Sequence, residues 1–325
     1  MTRKRYLSTL SFWIKEVYIE LRFKDTFPHM KEPISKIKDP IPRICSAISI
    51  ADGKYFNLVS YYGGKYNQLE NTLPYIAKVA KANNADTYIE LFGGGGKCIL
   101  NIDTISHKFE KVIYNELDKG LCCLFEVAMD TDSCKKMYDI LKVQKCNRTL
   151  FDFCKQNIND DKLNMVERAY MTYVLCNLSY NGERSFYVEK DFENYYRSVE
   201  RLLTAHEHLR NVTVSNMSAI ELLKEHGKNS KVVKYLDPPY HPCSRAKSAQ
   251  NVYLNEMSTE NHKELVELLC QSRSWILSGY DPAQYGCNDY LPLEESGAKK
   301  VSIGKFNLYS GKCKQSKEEF VWYKI

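Results

Sequence analysis

From Tyr61 onward the chain alternates between two hydrophobic patterns, one with helical spacing and one of short continuous apolar runs. Strands that alternate with helices favour an α/β fold, with a mostly parallel sheet covered on both faces. Apolar residues at helical spacing predict helices over 67–82, 165–178, 194–210 and 259–272. Apolar runs predict strands over 87–91, 111–114, 212–215, 232–236 and 275–278.

The same pattern divides the chain into three regions. Residues 1–55 are predicted to be an N-terminal extension, in which Leu7 to Leu21 have the spacing of an amphipathic helix. Residues 119–205 contain predicted helices without strands, so we interpret them as a helical insert. The segments 56–118 and 206–325 together form the predicted sheet domain, where Ser218 and Glu221 predict a capping box at a helix start.

Composition and charge narrow the class of protein only slightly. The net charge is +6, and the basic excess lies at the ends, with 12 basic against 7 acidic residues in 1–70 and 7 against 2 in 297–325. A basic surplus permits a polyanionic partner without identifying one. The sequence contains no C-x-x-C pair, no apolar run of the about 18 residues that a membrane span needs, and no signal cleavage site. We therefore expect a cytoplasmic protein with reduced, mostly buried thiols and no bound metal.

The strongest chemical signal is Asp237-Pro238-Pro239-Tyr240, which directly follows the predicted strand 232–236. Two prolines stiffen the turn and remove two backbone donors, so carbonyls near them are free to accept from a ligand. The Asp237 carboxylate and the Pro238 carbonyl would accept both hydrogens of an exocyclic amine, making its nitrogen more nucleophilic. The Tyr240 ring would stack on a flat base. The plain alternative is a proline turn that ends a strand.

A second signal is the glycine turn 93–96 after the first predicted strand. Glycines allow positive φ and close approach of a ligand, and a strand, glycine turn and helix are typical of nucleotide sites. A phosphate-binding P-loop is excluded, because Leu91 and Cys98 stand where that motif has Gly and Ser or Thr. Glu116 ends the next strand and is the expected partner of ribose hydroxyls, with Asp118 as a competitor.

Four features occur in the order known from one family: YYGGKY at 61–66, YIELFGGGGKCILN at 88–101, a long insert, and YLDPPY at 235–240. On these motifs the chain, from about residue 58 to its end, resembles the DNA adenine methylases, the D12 class of adenine-specific DNA methyltransferases. The resemblance implies a doubly wound, Rossmann-like methyltransferase sheet with a mainly helical target-recognition insert. RAYMTYVLCNLSYNG at 168–182 is similar to the family's recognition insert, and EEFVWYKI at 318–325 to its closing strand.

The resemblance also implies a cofactor, S-adenosyl-L-methionine, and roles for individual residues. Tyr61 and Lys65 would contact the cofactor, Glu116 its ribose, and Asp237 would lie between cofactor and adenine. The family usually has Trp, Pro and Asp where this chain has Tyr61, Leu91 and Glu116, and a small residue in place of Lys97. The expected catalytic residues are Asp237, Pro238 and Tyr240, and the expected cofactor-binding residues are Tyr61, Lys65, Glu90, Phe92, Gly94, Gly96, Glu116 and Asp237.

The implied reaction transfers a methyl group directly to the adenine amine, without a covalent enzyme intermediate. Adenine in a duplex is stacked and paired, so it would have to be flipped out of the helix. Tyr180, Asn181 and Arg184 in the insert are the candidates for reading double-stranded DNA, the alternative being a polar loop after a helix. Adenine in RNA, the cytosine N4 amine and a catalytically inactive DNA-binding relative stay open as alternatives. A restriction endonuclease is a candidate partner, and we expect a monomer.

Overall fold

The computed structural model describes residues 54–245, 253–310 and 313–325, and the helix expected at Leu7–Leu21 lies outside them. The chain divides into two compact units. The sheet unit comprises residues 53–122 and 208–325, and the described part of the helical unit comprises residues 123–207. The functional assignment of the three predicted regions stays a prediction.

One sheet organises the described part of the sheet unit. Its strands are β1 (Thr87–Glu90), β2 (Lys111–Asn115), β3 (Val212–Ser215), β4 (Val232–Leu236), β5 (Trp275–Gly279), β6 (Lys299–Ser310) and β7 (Cys313–Lys324). They are ordered β3-β2-β1-β4-β5-β7-β6. The first five run parallel to one another, whereas β7 is antiparallel to both β5 and β6.

The α-helices of the described residues occur in both units. They are α1 (Leu69–Asn83), α2 (Lys119–Met129), α3 (Thr131–Val143), α4 (Arg148–Asn157), α5 (Met165–Asn177), α6 (Phe192–Glu200), α7 (Leu202–His208), α8 (Ala219–His226), α9 (Thr259–Gln271) and α10 (Leu291–Glu295). The helix expected over 194–210 is therefore two helices, which are separated at Arg201.

The sheet unit has its core around the central strands. Every residue of β4 and β5 is buried, which explains why both strands appear in the sequence as continuous runs without polar alternation. Leu265 of α9 and Trp322 of β7 pack in one apolar cluster with Leu236 and Trp275. Helix α8 begins where expected, but the Ser218 side chain makes no capping hydrogen bond, so the predicted capping box is wrong.

The helical unit is organised around α5, whose residues from Glu167 to Asn177 are all buried. Polar side chains cap the N-termini of helices in this unit. Asn164 and Glu167 form a capping box at α5, and the Asp130 side chain accepts from the Ser133 N–H at α3. A helix that is buried on all sides has no amphipathic stripe. The packing around α5, rather than its hydrophobic pattern, therefore fixes its position at the centre of the helical unit.

The expected fold class is confirmed: this is an α/β protein with a Rossmann-like sheet and helices on its flanks. Within the described residues, no helix combines the length and the apolar character that a bilayer crossing requires.

Candidate active site

The acidic residues that end or follow three strands meet at the carboxyl edge of the parallel strands. Glu90 ends β1, Glu116 follows β2, and Asp237 follows β4. The strand order reverses between β1 and β4, and such a switch point opens a crevice in which ligands bind. A cavity of about 220 Å³ lies at this point, and all three acids line it together with Tyr61 and the glycines 93–95.

The glycine turn forms a bare backbone wall of this cavity. Gly94 has a φ of 48°, in the left-handed region that favours glycine. A methyl group at Gly93 would overlap the Tyr114 ring, and one at Gly94 would lie 2.8 Å from the Tyr61 ring. The Tyr114 hydroxyl donates to the Gly94 carbonyl at 2.7 Å and so holds the turn in place. A ligand can therefore approach this backbone closely.

Glu116 and Asp118, the two competing acids, have different partners. Glu116 Oε2 accepts from the Gly94 N–H at 2.7 Å, and its Oε1 accepts from the Asp118 N–H at 2.9 Å. Asp118 Oδ1 instead accepts from the N–H groups of Gly120 and Leu121 at 2.8 and 3.3 Å, at the start of α2. Glu116 is therefore the acid that is fixed against the glycine turn. Its carboxylate also lines the cavity, where it can accept from a hydroxyl group of a ligand.

Glu90 has a buried oxygen that lacks a partner. Its Oε2 makes no hydrogen bond within the described residues, although the side chain is only 3% exposed and lines the cavity. Burial raises the pKa of Glu90 well above its ordinary value, opposed by the Ile99 backbone N–H and supported by the nearby Asp237 charge. A buried, unpartnered acceptor at a cavity wall is suited to a donor group on a ligand.

Lys65, Asp237 and Glu319 form a buried charge cluster at the catalytic turn. Lys65 Nζ lies 3.2 Å from Asp237 Oδ1 and 2.7 Å from Glu319 Oε1. Glu319 reaches this edge because β7 runs antiparallel to β5. The pairing places Phe320, the residue after Glu319, opposite Gly279 at the carboxyl end of β5. The Ser278 hydroxyl donates to Asp237 Oδ1 at 3.1 Å. Asp237 is therefore held in place from two directions.

The electrostatics of this cluster favour a cation. Burial raises the pKa of Asp237 to about 6, opposed by the Lys65 ammonium and supported by the Glu319 charge. Burial lowers the pKa of Lys65, but Asp237 and Glu319 outweigh it and keep that pKa above its ordinary value. With the carboxyl groups ionised, two negative charges face one positive charge. The cluster is then net negative, which favours a positively charged group beside it.

Tyr240 is half-buried and packs against this cluster. Its hydroxyl donates to Glu319 Oε1 at 2.6 Å, and Lys65 Nζ lies 4.3 Å from the centre of its ring. The Tyr280 ring centre is 4.2 Å away. Among the residues of the turn, Asp237 and Pro239 line the cavity, whereas Tyr240 and the buried Pro238 do not. The Tyr240 ring thus has polar and aromatic partners that hold it in place.

Lys97 stands where the family usually has a small residue, and its side chain bonds to the segment before the YYGGKY motif. Its ammonium donates to the Asn57 side chain and, at 2.5 Å, to the Val59 carbonyl. The side chain is 6% exposed, and its carbon stem lies 3.1 Å from where a Gly64 Cβ would stand. Lys97 therefore joins the glycine turn to Asn57 and Val59, and a Cβ at Gly64 would make tight contacts with the Lys97 stem and the Tyr61 carbonyl.

The predicted recognition residues lie on a closed loop of the helical unit. Ser179 and Tyr187 form an antiparallel bridge, and the Arg184 N–H donates to the Ser179 hydroxyl at 2.9 Å. Asn181 and Arg184 have positive φ of 49° and 60°, which non-glycine residues seldom adopt. Asn181 is exposed, and Tyr180 is 45% exposed. Strained backbone with exposed polar side chains is a feature of binding loops.

The structure brings most of the expected residues of the sheet unit to one cavity. Tyr61, Lys65, Glu90, Phe92, Gly94, Glu116 and Asp237 line it. Pro238, Tyr240 and Gly96 do not, and the Gly96 N–H bonds back to the Gly93 carbonyl to close the turn. Sequence reasoning missed Glu319 and Ser278. A signal for Glu319 was available, because an acid there shares one strand face with the apolar Val321 and Tyr323.

The fold and the site define a Rossmann-like methyltransferase, in which a glycine turn and an acidic proline turn meet at the switch point of the sheet. The family model of the D12 class N6 adenine-specific DNA methyltransferases matches residues 61–284, and the chain belongs to this family. Membership makes the protein a transferase that methylates adenine in DNA. A comparison with curated proteins finds no match.

Proposed function

We propose that the protein is a site-specific DNA adenine-N6 methyltransferase, which transfers a methyl group from S-adenosyl-L-methionine to the amine of an adenine flipped out of duplex DNA. The observation that carries the proposal is the position of Asp237. It lies on the same cavity as the bare glycine turn and belongs to a net-negative cluster. Such a cavity has room for a nucleoside and a charge that attracts a sulfonium cation.

The residues of the cavity fit this cofactor. Glu116, fixed against the glycine turn, would accept from the ribose hydroxyls. Glu90 Oε2, which lacks a partner among the described residues, would accept from an amine on the cofactor. Tyr61 and Phe92 line the same cavity and would contact its flat or apolar parts. When bound, S-adenosyl-L-methionine would supply the electrophilic methyl group.

The catalytic turn would aim the acceptor amine. The Asp237 carboxylate and the Pro238 carbonyl would accept the two amine hydrogens, which concentrates electron density on the nitrogen. With its pKa at about 6, Asp237 is ionised at neutral pH and competent to accept. Lys65 and Ser278 would hold this carboxylate in the productive orientation before substrate binds. Preorganisation of this kind lowers the barrier, because no groups have to reorient during the reaction.

Tyr240 would provide the face on which the flipped base stacks. Its ring is fixed by the Glu319 hydrogen bond and by the Lys65 ammonium above it. On the helical unit, Tyr180, Asn181 and Arg184 would read the bases around the target, since amide and guanidinium groups bond to base edges in the major groove. A restriction endonuclease as partner, the monomeric state and a cytoplasmic location stay predictions.

The experiment that tests this function is expression in a bacterial host without DNA adenine methylation, followed by mapping of modified bases. We expect N6-methyladenine in one short sequence motif, and none with Asp237→Ala. Asp86→Ala is a matched control, because Asp86 is exposed at the opposite, amino end of β1.

The alternative methyl acceptors, cytosine in DNA and adenine in RNA, would give different modified bases in nucleic acid from the same cells. Methylcytosine in DNA, or methyladenine in RNA alone, would replace the proposed acceptor. Unmodified nucleic acid beside folded protein that binds the cofactor would indicate a catalytically inactive relative and would refute the proposal.

A further inference from the structure

Four polar side chains that the methyl-transfer site does not use converge behind the catalytic turn. His241 follows Tyr240 directly and begins the short 3-10 helix Pro242–Ser244, which carries Cys243. Cys287 and Asp289 follow another short 3-10 helix, Pro282–Tyr285, in the loop after β5. Because β4 and β5 are neighbours, their following loops meet at the same edge of the sheet. The four side chains therefore come from two loops.

The spacing of their donor atoms is close to that of a metal site. The ligand atoms of His241, Cys243 and Cys287 all lie within 4.8 Å of one another. Donor atoms on one tetrahedral zinc ion lie about 3.3–3.8 Å apart, given bond lengths of about 2.0–2.3 Å. Small rotations of the two cysteine side chains would bring these atoms onto one ion. Imidazole nitrogen and thiolate sulfur are the ligands that zinc prefers.

The hydrogen bonds of His241 hold its ring between Cys243 and Asp289. Its Nδ1 accepts from the Cys243 N–H at 3.3 Å and lies 3.0 Å from Cys243 Sγ. Its Nε2 lies 3.1 Å from Asp289 Oδ2 and donates to that carboxylate. The proton is thus on Nε2, which also lies 4.0 Å from Cys287 Sγ. The Nδ1 lone pair faces Cys243, and a metal bond at Nδ1 would replace the hydrogen bond from the Cys243 N–H. Histidines that bind metals commonly donate their other ring N–H to a carboxylate in this way.

We propose that His241, Cys243 and Cys287 bind one zinc ion, with Asp289 orienting the histidine. Binding would form one bond from Nδ1 and two from the sulfurs, and the two thiol protons would pass to solvent. Cys243 is exposed, so the ion has a path to the site, while His241 is buried and rigid. The bound ion would tie the segment after the catalytic turn to the loop after β5.

This inference departs from the expectation that the chain binds no metal. That expectation came from the absence of C-x-x-C pairs, and the two cysteines here stand far apart in the sequence. The proposed site does not depend on the proposed reaction, because none of its ligands lines the cavity at the switch point.

Cobalt titration of the full chain tests the proposal. The reduced protein is stripped with a chelator and titrated with Co²⁺, whose thiolate complexes absorb strongly in the near ultraviolet. We expect one Co²⁺ per chain with thiolate-to-metal absorption, which Zn²⁺ abolishes on displacing it. Zn²⁺ should also raise the melting temperature of the stripped protein, because it binds the folded state.

Matched variants assign the ligands. Cys243→Ser and Cys287→Ser should each remove the thiolate absorption or halve it, and weaken Zn²⁺ affinity by more than about 100-fold, since an outer partner alone contributes about 10- to 100-fold. Asp289→Asn should weaken affinity within that smaller range. Cys270→Ser is the control, because Cys270 lies on α9 of the same unit and bonds to the Pro292 carbonyl instead. Melting of the metal-free variants shows whether each is folded.

Three outcomes would overturn the proposal. The first is no thiolate-to-metal absorption in the reduced wild type, and the second is equal Zn²⁺ affinity in folded Cys243→Ser and wild type. The third is a Cys243–Cys287 disulfide that persists under reductant in place of metal binding.

Discussion

The catalytic edge of the sheet and the loop 179–188 of the helical unit achieve order by different means. At the sheet edge, Lys65, Asp237 and Glu319 are held by charges and hydrogen bonds between their own side chains. On the loop, backbone bonds close the turn and leave Asn181 exposed at positive φ. Charged side chains therefore hold each other in place before binding at the sheet edge, whereas on the loop the backbone bonds fix the shape that exposes Asn181.

Because of this difference, we expect the charge cluster to control the rate of methyl transfer and the loop to control the choice of DNA sequence. Substitutions in the charge cluster should change the rate at every DNA sequence, because the preorganised groups act on the amine itself. Substitutions on the loop should change the preference among DNA sequences and leave the rate-determining chemistry in place. Substitutions at five positions sharpen or break this contrast.

Asp237→Asn should have the largest effect. The amide keeps the shape of the side chain but presents an N–H₂ group to the amine, so we expect a loss of about 1,000-fold or more in kcat, near the upper effect of one oxyanion-hole donor. The measurement is single-turnover methylation of a duplex that contains the mapped motif. Asp86→Asn serves as the control.

The stability of Asp237→Asn distinguishes lost chemistry from misfolding. The fold raises the pKa of Asp237 from 3.8 to about 6. Folding therefore favours the protonated form, and this stabilisation is complete below about pH 3.8 and lost as the pH rises through about 6. The uncharged Asn variant should thus melt no lower than the wild type at pH 8. Lower melting together with lost activity would undermine the catalytic role.

Tyr240→Ala should come next. Base stacking on an aromatic ring contributes about 1–3 kcal/mol, so we expect up to about 100-fold loss of kcat/KM. Tyr240→Phe retains the ring and removes the hydrogen bond to Glu319, and should retain most of the activity. Equal losses in the two variants would mean that the hydroxyl, rather than the stacking face, is the important part.

On the loop, Asn181→Gly and Arg184→Gly should relax sequence preference by about 10-fold each, the lower range for a base contact. Glycine retains the positive φ of these positions, so the substitution deletes the side chain without adding backbone strain. The assay compares kcat/KM on duplexes with the intact motif and with single base changes. Ser185→Gly controls for added flexibility, and an equal fall on all duplexes would contradict the assignment.

Glu319→Gln should give the smallest effect, a shift in pH dependence. Activity of the wild type should rise with pH through about 6, as Asp237 loses its proton. The Glu319 charge raises the pKa of Asp237, so its removal should move this acid limb to lower pH. Glu318→Gln, on the neighbouring residue that bonds to Ser302, should leave the limb in place. An unchanged limb in Glu319→Gln would refute the coupling.

The amino-acid sequence by itself determined the five parallel strands, several helices and the segments of the site. Continuous apolar runs predict buried parallel strands, and glycines and prolines at their ends predict the turns, because both depend on local backbone properties. The bounds of β4 and the meeting of Glu90, Glu116 and Asp237 at one edge were accessible in this way.

Only the tertiary structure decided what depends on distant partners. Lys65 was expected to contact the cofactor, and only the structure shows that it also lies beside Asp237 and Glu319, because an antiparallel β7 brings Glu319 to the edge of β5. The grouping of His241, Cys243 and Cys287 likewise arises from two loops that are adjacent only in space. Ion pairs and metal ligation depend on the distances between side chains. For segments that are remote in the sequence, the packing of the sheet sets these distances.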